Sequence, residues 1–160
     1  MNRASIIDPS LMEIDMDLDT KEDVLQKMAS NLVREGYVNE TYIEAILKRE
    51  KAFPTGISTE GLGVAIPHTD IEHVIRPAVA VATLKEPVKF FSMEDPETEV
   101  DVKIVFMLAI TEPEFQLDIL RKLVSLFQNK EMLIELSKVE DAEEMAVVLD
   151  RVIDIGKVSG

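Results

Sequence analysis

Two stretches of this chain are too apolar for half-exposed strands and too short for membrane helices. They are Ala78 to Leu84 and Val102 to Ile110, both rich in β-branched residues and bounded by turn formers. A strand with one wet face alternates apolar and polar side chains, whereas nearly continuous apolar runs suit strands buried on both faces of a sheet. Val64-Ala65-Ile66 reads the same way. The longest uninterrupted apolar run, Ile104 to Ile110, is far short of the ~20 residues that span a bilayer.

Helical patterns flank these strands. Val24, Leu25, Met28, Leu32 and Val33 give an apolar face to a helix expected over Lys21 to Glu35, opened by a capping box of Thr20 with Asp23 and ended at Gly36. A second helix is expected to start after Asn39 and end near Lys51, because Pro54 cannot continue it. Thr111-Glu112-Pro113-Glu114 reads as a third helix start, with Thr111 as the cap, followed by a stripe of Phe115, Ile119, Leu120, Leu123, Val124 and Phe127. A last helix is expected over Asp141 to Ile153, with Ala142, Met145, Leu149, Val152 and Ile153 inward. Helices on both sides of a mixed sheet make this an α/β protein, a three-layer α/β/α sandwich. With 160 residues and no linker, a single domain over 1–160 is expected; the strand order is not legible.

Composition then excludes several functions. There are no cysteines, hence no disulfide, thiol nucleophile or thiolate metal site. The amino-terminal stretch turns acidic early and lacks the apolar core of a secretory signal, so a cytoplasmic location is expected. A formal charge of −14 argues against a nucleic-acid surface and would speed encounters with a basic partner, although surplus carboxylates also simply keep a protein in solution.

Two histidines carry what catalytic chemistry the chain can offer. His68 follows Val64-Ala65-Ile66-Pro67, so it sits where a buried strand runs out into a loop, the end of an open α/β sheet where ligands commonly bind. Pro67 fixes one backbone dihedral beside it, and Gly56, Gly61 and Gly63 allow close backbone approach. Neutral imidazole, with an ordinary pKa of about 6.5, is a competent nucleophile once its second nitrogen is held by a hydrogen bond. A lone histidine at a strand end with no chemical role fits the same residues. His73 lies five residues on, with Asp70 and Glu72 between, and is either auxiliary to His68 or a loop residue. That spacing is not H-E-x-x-H and no third His or Cys completes a set, so no metal and no cofactor are expected. Arg49, in Lys48-Arg49-Glu50-Lys51, suits a helix carboxyl terminus whatever else it does.

Arg49-Glu50, Phe53-Pro54-Thr55-Gly56-Ile57 and Val64-Ala65-Ile66-Pro67-His68, taken together, resemble the enzyme IIA domain of the bacterial phosphoenolpyruvate-dependent sugar phosphotransferase system. The resemblance is to its fructose–mannitol superfamily, and through Phe53-Pro54-Thr55-Gly56-Ile57 with the second histidine to the galactitol-like branch. It runs over nearly the whole chain and implies a phosphorelay. His68 would accept a phosphoryl group from the histidine-containing phosphocarrier protein and donate it to a cysteine of enzyme IIB, which acts with the membrane enzyme IIC. Arg49 and Thr55 map to the family's phosphate-binding positions, and Arg49 could neutralise phosphoryl charge. Many relatives carry a second active-site histidine early in the helix after the central strand. Here that position holds Gln116, which can donate a hydrogen bond but carry no charge, and His73 is a possible substitute. The alternative is a regulatory protein of the same fold, in which phosphorylation of His68 controls binding to a kinase, transporter or transcription factor. A zinc hydrolase using both histidines is a third reading.

Overall fold

A computed structural model describes residues 6–158 of the chain, with side chains described through residue 153. The two apolar runs form the centre. Strand β4 (Ala78–Phe91) pairs antiparallel with β5 (Glu99–Ala109), from Ala78↔Ala109 to Phe91↔Glu99. Burial is unbroken over Ala78 to Leu84 and Ile104 to Ala109, which requires cover on both faces. β4 runs seven residues past the apolar stretch, through Pro87, and the register shifts between Thr83 and Val88 where that proline falls.

Two strands escape the sequence pattern. β1 (Met12–Met16) lies parallel to β4 at one edge, and β2 (Gly56–Ser58) lies antiparallel to β3 (Gly63–Ala65) at the other, giving the order β1-β4-β5-β3-β2. β1 carries Glu13 and Asp15 among its apolar residues and bends at Asp15, whose φ is +53° and whose N–H is taken by the buried Thr83 hydroxyl at 2.9 Å. β2 has only three residues, too few for any periodicity.

The helices fall into two groups. α1 (Lys21–Arg34) packs on β4 and on α2 (Thr41–Ala52). The Thr20 hydroxyl accepts from Asp23 N–H at 3.1 Å, and Gly36, at φ +83°, turns the chain out of α1 in the left-handed conformation that glycine tolerates. The second group is α3 (Pro113–Phe127), α4 (Lys130–Ser137) and α5 (Ala142–Val158), with α3 against α4 and α5, and α5 against β1. Phe127 of α3 meets Phe106 of β5 at 5.5 Å between ring centres. Thr111 does not cap α3 as expected: Glu112 holds the cap position without a side-chain bond, and Pro113 sets the first turn. α4 was not anticipated; its eight residues are capped by Asn129, which accepts from Met132 N–H. Of the inward set expected on α5, Met145, Leu149 and Ile153 are buried, and Ala142 and Val152 are half-buried.

Because β3 is parallel to β5 and β2 antiparallel to β3, the carboxyl ends of β3 and β5 and the amino end of β2 meet at one end of the sheet. Close approach sets one strict requirement on this arrangement. A Cβ on Gly63 would lie 2.1 Å from the carbonyl oxygen of Asp101 on β5. Since that oxygen belongs to backbone and cannot swing aside, Gly63→Ala should lose about 2 kcal/mol or more, read as a lower denaturation midpoint in urea.

Candidate functional site

Past β3 the chain continues as Ile66-Pro67-His68 without leaving the sheet. The Pro67 carbonyl accepts from Leu108 N–H of β5 at 3.0 Å, and Ile66 N–H donates to the Thr55 carbonyl at 3.3 Å just before β2. His68 is thus delivered on a strand extension held from both sides. Its Nδ1 lies 2.8 Å from the Ile66 carbonyl oxygen. A carbonyl only accepts, so this contact assigns the proton to Nδ1 and leaves Nε2 with a free lone pair. Burial, the larger influence, lowers the His68 pKa below its ordinary value, and the Arg49 charge adds to this against the opposing Ile66 bond. The ring is therefore neutral at pH 7 and fit to attack an electrophile.

Helix α2 supplies the rest. Its buried residues are Tyr42, Ile46 and Glu50, spaced by four and so on one face. Tyr42 is fully buried and its hydroxyl donates to the Leu108 carbonyl at 2.7 Å, fixing β5 beside Pro67. Arg49, the neighbour of Glu50, lies off that stripe and is half-buried. Its guanidinium stacks 4.7 Å from the centre of the Phe53 ring, which is 61 % exposed, and no carboxylate among the described residues pairs with it. Arg49 and Phe53 line an open depression with Thr69, Asp70 and His73; His68 itself lies outside the lining while its neighbour Thr69 lies in it. Lys21, Lys48 and Lys51 share that lining with Glu22 and Glu44, so its charge is mixed.

The expected site residues divide. His68 and Arg49 come together, close enough for the arginine charge to act on the imidazole. Thr55 is adjacent but differently employed. It is buried, its hydroxyl donates to Glu50 Oε1 at 2.9 Å, and Thr55 Oγ1 accepts from Ile66 N–H at 3.2 Å. Its hydroxyl proton is therefore directed inward to Glu50. Gln116 lies half-buried in the first turn of α3, past β5, and its side-chain amide makes no hydrogen bond among the described residues. His73 meets the Thr41 hydroxyl through Nδ1 at 2.9 Å and approaches Glu72 at 3.7 Å. Among the described residues no group of three or more His, Cys, Asp or Glu is placed to hold a metal. No helix among them is long and apolar enough to cross a membrane.

Sequence reasoning missed Glu50 as a structural actor. Only 2 % exposed, it accepts from Thr55 N–H at 2.8 Å as well as from the Thr55 hydroxyl. A carboxylate on the buried stripe of a helix, four residues after Ile46, was the available signal. Burial pushes its pKa up to about 7, against the opposing pull of the two Thr55 bonds and Lys21.

Fold and site together define an α/β sandwich that presents, at one end of its sheet, a neutral imidazole and a guanidinium with no carboxylate partner among the described residues. Residues 5–152 match the family described as "Phosphoenolpyruvate-dependent sugar phosphotransferase system, EIIA 2". The chain is 30 % identical over 112 residues to the galactitol-specific EIIA component of Escherichia coli K12, covering 70 % of this chain and 74 % of that one. Among solved structures it superimposes on nitrogen regulatory protein IIA-Ntr from Neisseria meningitidis with a TM-score of 0.73 and 28 % identity, over 91 % of this chain and 97 % of that one. It also matches the fold in the complex of enzyme IIA mannitol and phosphorylated enzyme IIB mannitol from E. coli, with a TM-score of 0.70 and 23 % identity, covering 88 % and 94 %. The chain belongs to the EIIA type 2 family of the sugar phosphotransferase system, and so is a phosphotransfer component.

The shifted Glu50 carboxyl has a consequence for stability. Its folded pKa of about 7 lies above the ordinary 4.5, so between these pH values the folded chain holds a proton that the unfolded chain has released. Stability from this group is greatest below pH 4.5 and falls as pH rises toward 7, by an amount on the order of 3 kcal/mol. Glu50→Gln should flatten that slope relative to wild type in denaturation midpoints measured from pH 5 to 8.

Proposed function

We propose that this chain is the phosphocarrier component of a sugar or polyol phosphotransferase system, with His68 Nε2 as the phosphoryl acceptor. The observation that carries the reading is the His68 imidazole, pinned through Nδ1 to the Ile66 carbonyl with Nε2 unencumbered and the unpaired Arg49 close by. The donor is the phosphohistidine of a small histidine-containing phosphocarrier protein, itself charged by enzyme I from phosphoenolpyruvate. The Nε2 lone pair attacks phosphorus in line, the donor's N–P bond breaks, and its electron pair returns to the donor imidazole. As His68 takes on positive character, its Nδ1–H bond to Ile66 strengthens. Arg49 neutralises the equatorial phosphoryl oxygens, and Gln116 donates a further hydrogen bond to them. In the second transfer a cysteine thiolate of enzyme IIB attacks phosphorus and the N–P pair returns to Nε2. Neither step requires a bound metal or cofactor.

Galactitol or a related polyol is the favoured substrate class for the whole system, since the galactitol-specific component of E. coli is among the most similar relatives. The complex formed by the mannitol homologue supports enzyme IIB as the acceptor. Enzyme IIC is met only through enzyme IIB, and the relay operates in the cytoplasm. The likeness to IIA-Ntr supports the second reading, a regulator whose partner binding follows the phosphorylation state of His68. Transfer to enzyme IIB separates the two, because only a transport component discharges to it productively.

Incubation with phosphoenolpyruvate, enzyme I and the phosphocarrier protein should add one acid-labile phosphoryl group to wild type and none to His68→Ala, read by intact mass. A phosphorylated His68→Ala would move the acceptor elsewhere. Arg49→Ala should slow the first transfer by about a hundredfold. Gln116→Ala should slow it less, and an unchanged rate would remove Gln116 from the site.

A further inference from the structure

Glu50 is nearly inaccessible, so it cannot touch a phosphoryl group, a donor or an acceptor, yet its two oxygens are both engaged on one residue. Oε2 accepts from Thr55 N–H at 2.8 Å and Oε1 from the Thr55 hydroxyl at 2.9 Å. Thr55 in turn receives Ile66 N–H on both its hydroxyl oxygen, at 3.2 Å, and its carbonyl oxygen, at 3.3 Å. Ile66 then offers the carbonyl that accepts from His68 Nδ1 at 2.8 Å. Hydrogen bonds on the N–H and on the C=O of Ile66, joined through that one residue's backbone, therefore link the buried Glu50 carboxyl group to the imidazole. Its opposite side is closed by Leu108 N–H on Pro67 and by the Tyr42 hydroxyl on Leu108.

Burying a carboxylate is costly, and a hydrophobic residue at the third position of the Tyr42-Ile46 stripe would serve packing better. The two-pronged grip explains what the cost supplies. One prong fixes the Thr55 amide and the other fixes the rotamer of the Thr55 hydroxyl, so that its lone pair, not its proton, faces Ile66. With that proton directed inward, Ile66 has a fixed acceptor at its N–H, Pro67 restricts the next residue, and the Ile66 carbonyl has one position from which to receive Nδ1–H.

We propose that Glu50, acting through Thr55 and Ile66, is a positioning residue that fixes the tautomer and direction of the His68 ring, holding Nε2 in its unprotonated, outward state. This rests on the reading of His68 as phosphoryl acceptor and assigns Thr55 to the support of that histidine in place of phosphate contact. Loss of Glu50 leaves the nucleophile chemically intact but lets the Ile66 carbonyl shift, and misalignment of this kind costs group-transfer rate steeply.

The test pairs a tautomer measurement with a rate in the full-length chain. Nitrogen-15 NMR of His68 at pH 8, where the neutral ring dominates, should give a pure Nδ1–H form in wild type. Glu50→Gln, which lacks a second acceptor, and Thr55→Val, which lacks the hydroxyl, should each admit the Nε2–H tautomer. Both should slow phosphorylation by the phosphocarrier protein about 10- to 100-fold. Thr55→Ser, which keeps the hydroxyl, should retain the wild-type tautomer and a rate within about threefold. A pure Nδ1–H form and unchanged rate in Glu50→Gln and Thr55→Val would overturn the proposal. So would equal impairment of Thr55→Ser and Thr55→Val, because that marks simple loss of packing. If Glu50→Gln does not fold, the Val and Ser pair decides alone. Phosphorylation of His68→Ala at the wild-type rate would instead defeat the acceptor reading, while the tautomer result would still decide the role of Glu50.

Discussion

A backbone sealed from water on both sides has to satisfy its amides within the sheet, and β4 and β5 meet that demand chiefly against each other. Their pairing consumes the two most apolar stretches of the chain and obliges a layer of helices on each face. The outer strands follow from this centre. β1 and β3 add to it as parallel neighbours, and β2 folds back on β3. Where β1 slips in register, the buried Thr83 hydroxyl supplies the acceptor that Asp15 N–H needs. The same centre decides where chemistry can sit, because the parallel pairing of β3 with β5 brings their carboxyl ends together and places His68 beside Leu108.

Helix α2 converts that end into a site by using two faces for two purposes. Inward, Tyr42, Ile46 and Glu50 form one stripe whose ends carry polar groups, and those groups meet the Leu108 carbonyl and Thr55. Outward, Arg49 projects beside His68 with the exposed Phe53 ring beneath its guanidinium. Adjacent residues on a helix point about 100° apart, so a single turn can bury a carboxyl group and keep a cation half-exposed. The buried group binds Thr55, and the half-buried one places a positive charge near the imidazole.

Electrostatics within the site run against the character of the whole molecule. The chain carries a formal charge of −14, yet its reactive end presents an arginine without a carboxylate partner among the described residues. Arg49 is stacked on an aromatic ring, and no hydrogen bond among the described residues engages its donors. Burial and, after it, the Arg49 charge both favour the neutral His68 ring.

Composition and periodicity by themselves determined the three sealed strand segments, four of the five helices and the placement of His68 at a strand end. Each is a local consequence of apolar spacing, caps and proline. Short elements such as β2 and α4, and β1 with its acidic residues, gave too little pattern to register. What only the tertiary structure decided is the meaning of polar residues at the site. In sequence, Thr55 resembles a phosphate-binding threonine and Glu50 a surface charge in Lys48-Arg49-Glu50-Lys51. In the folded chain Glu50 is the third member of a buried helical stripe, and Thr55 spends its hydroxyl on it. Which neighbour receives a hydroxyl proton depends on strands distant in sequence meeting at one end of the sheet, and the spacing of residues along the chain carries no record of that meeting.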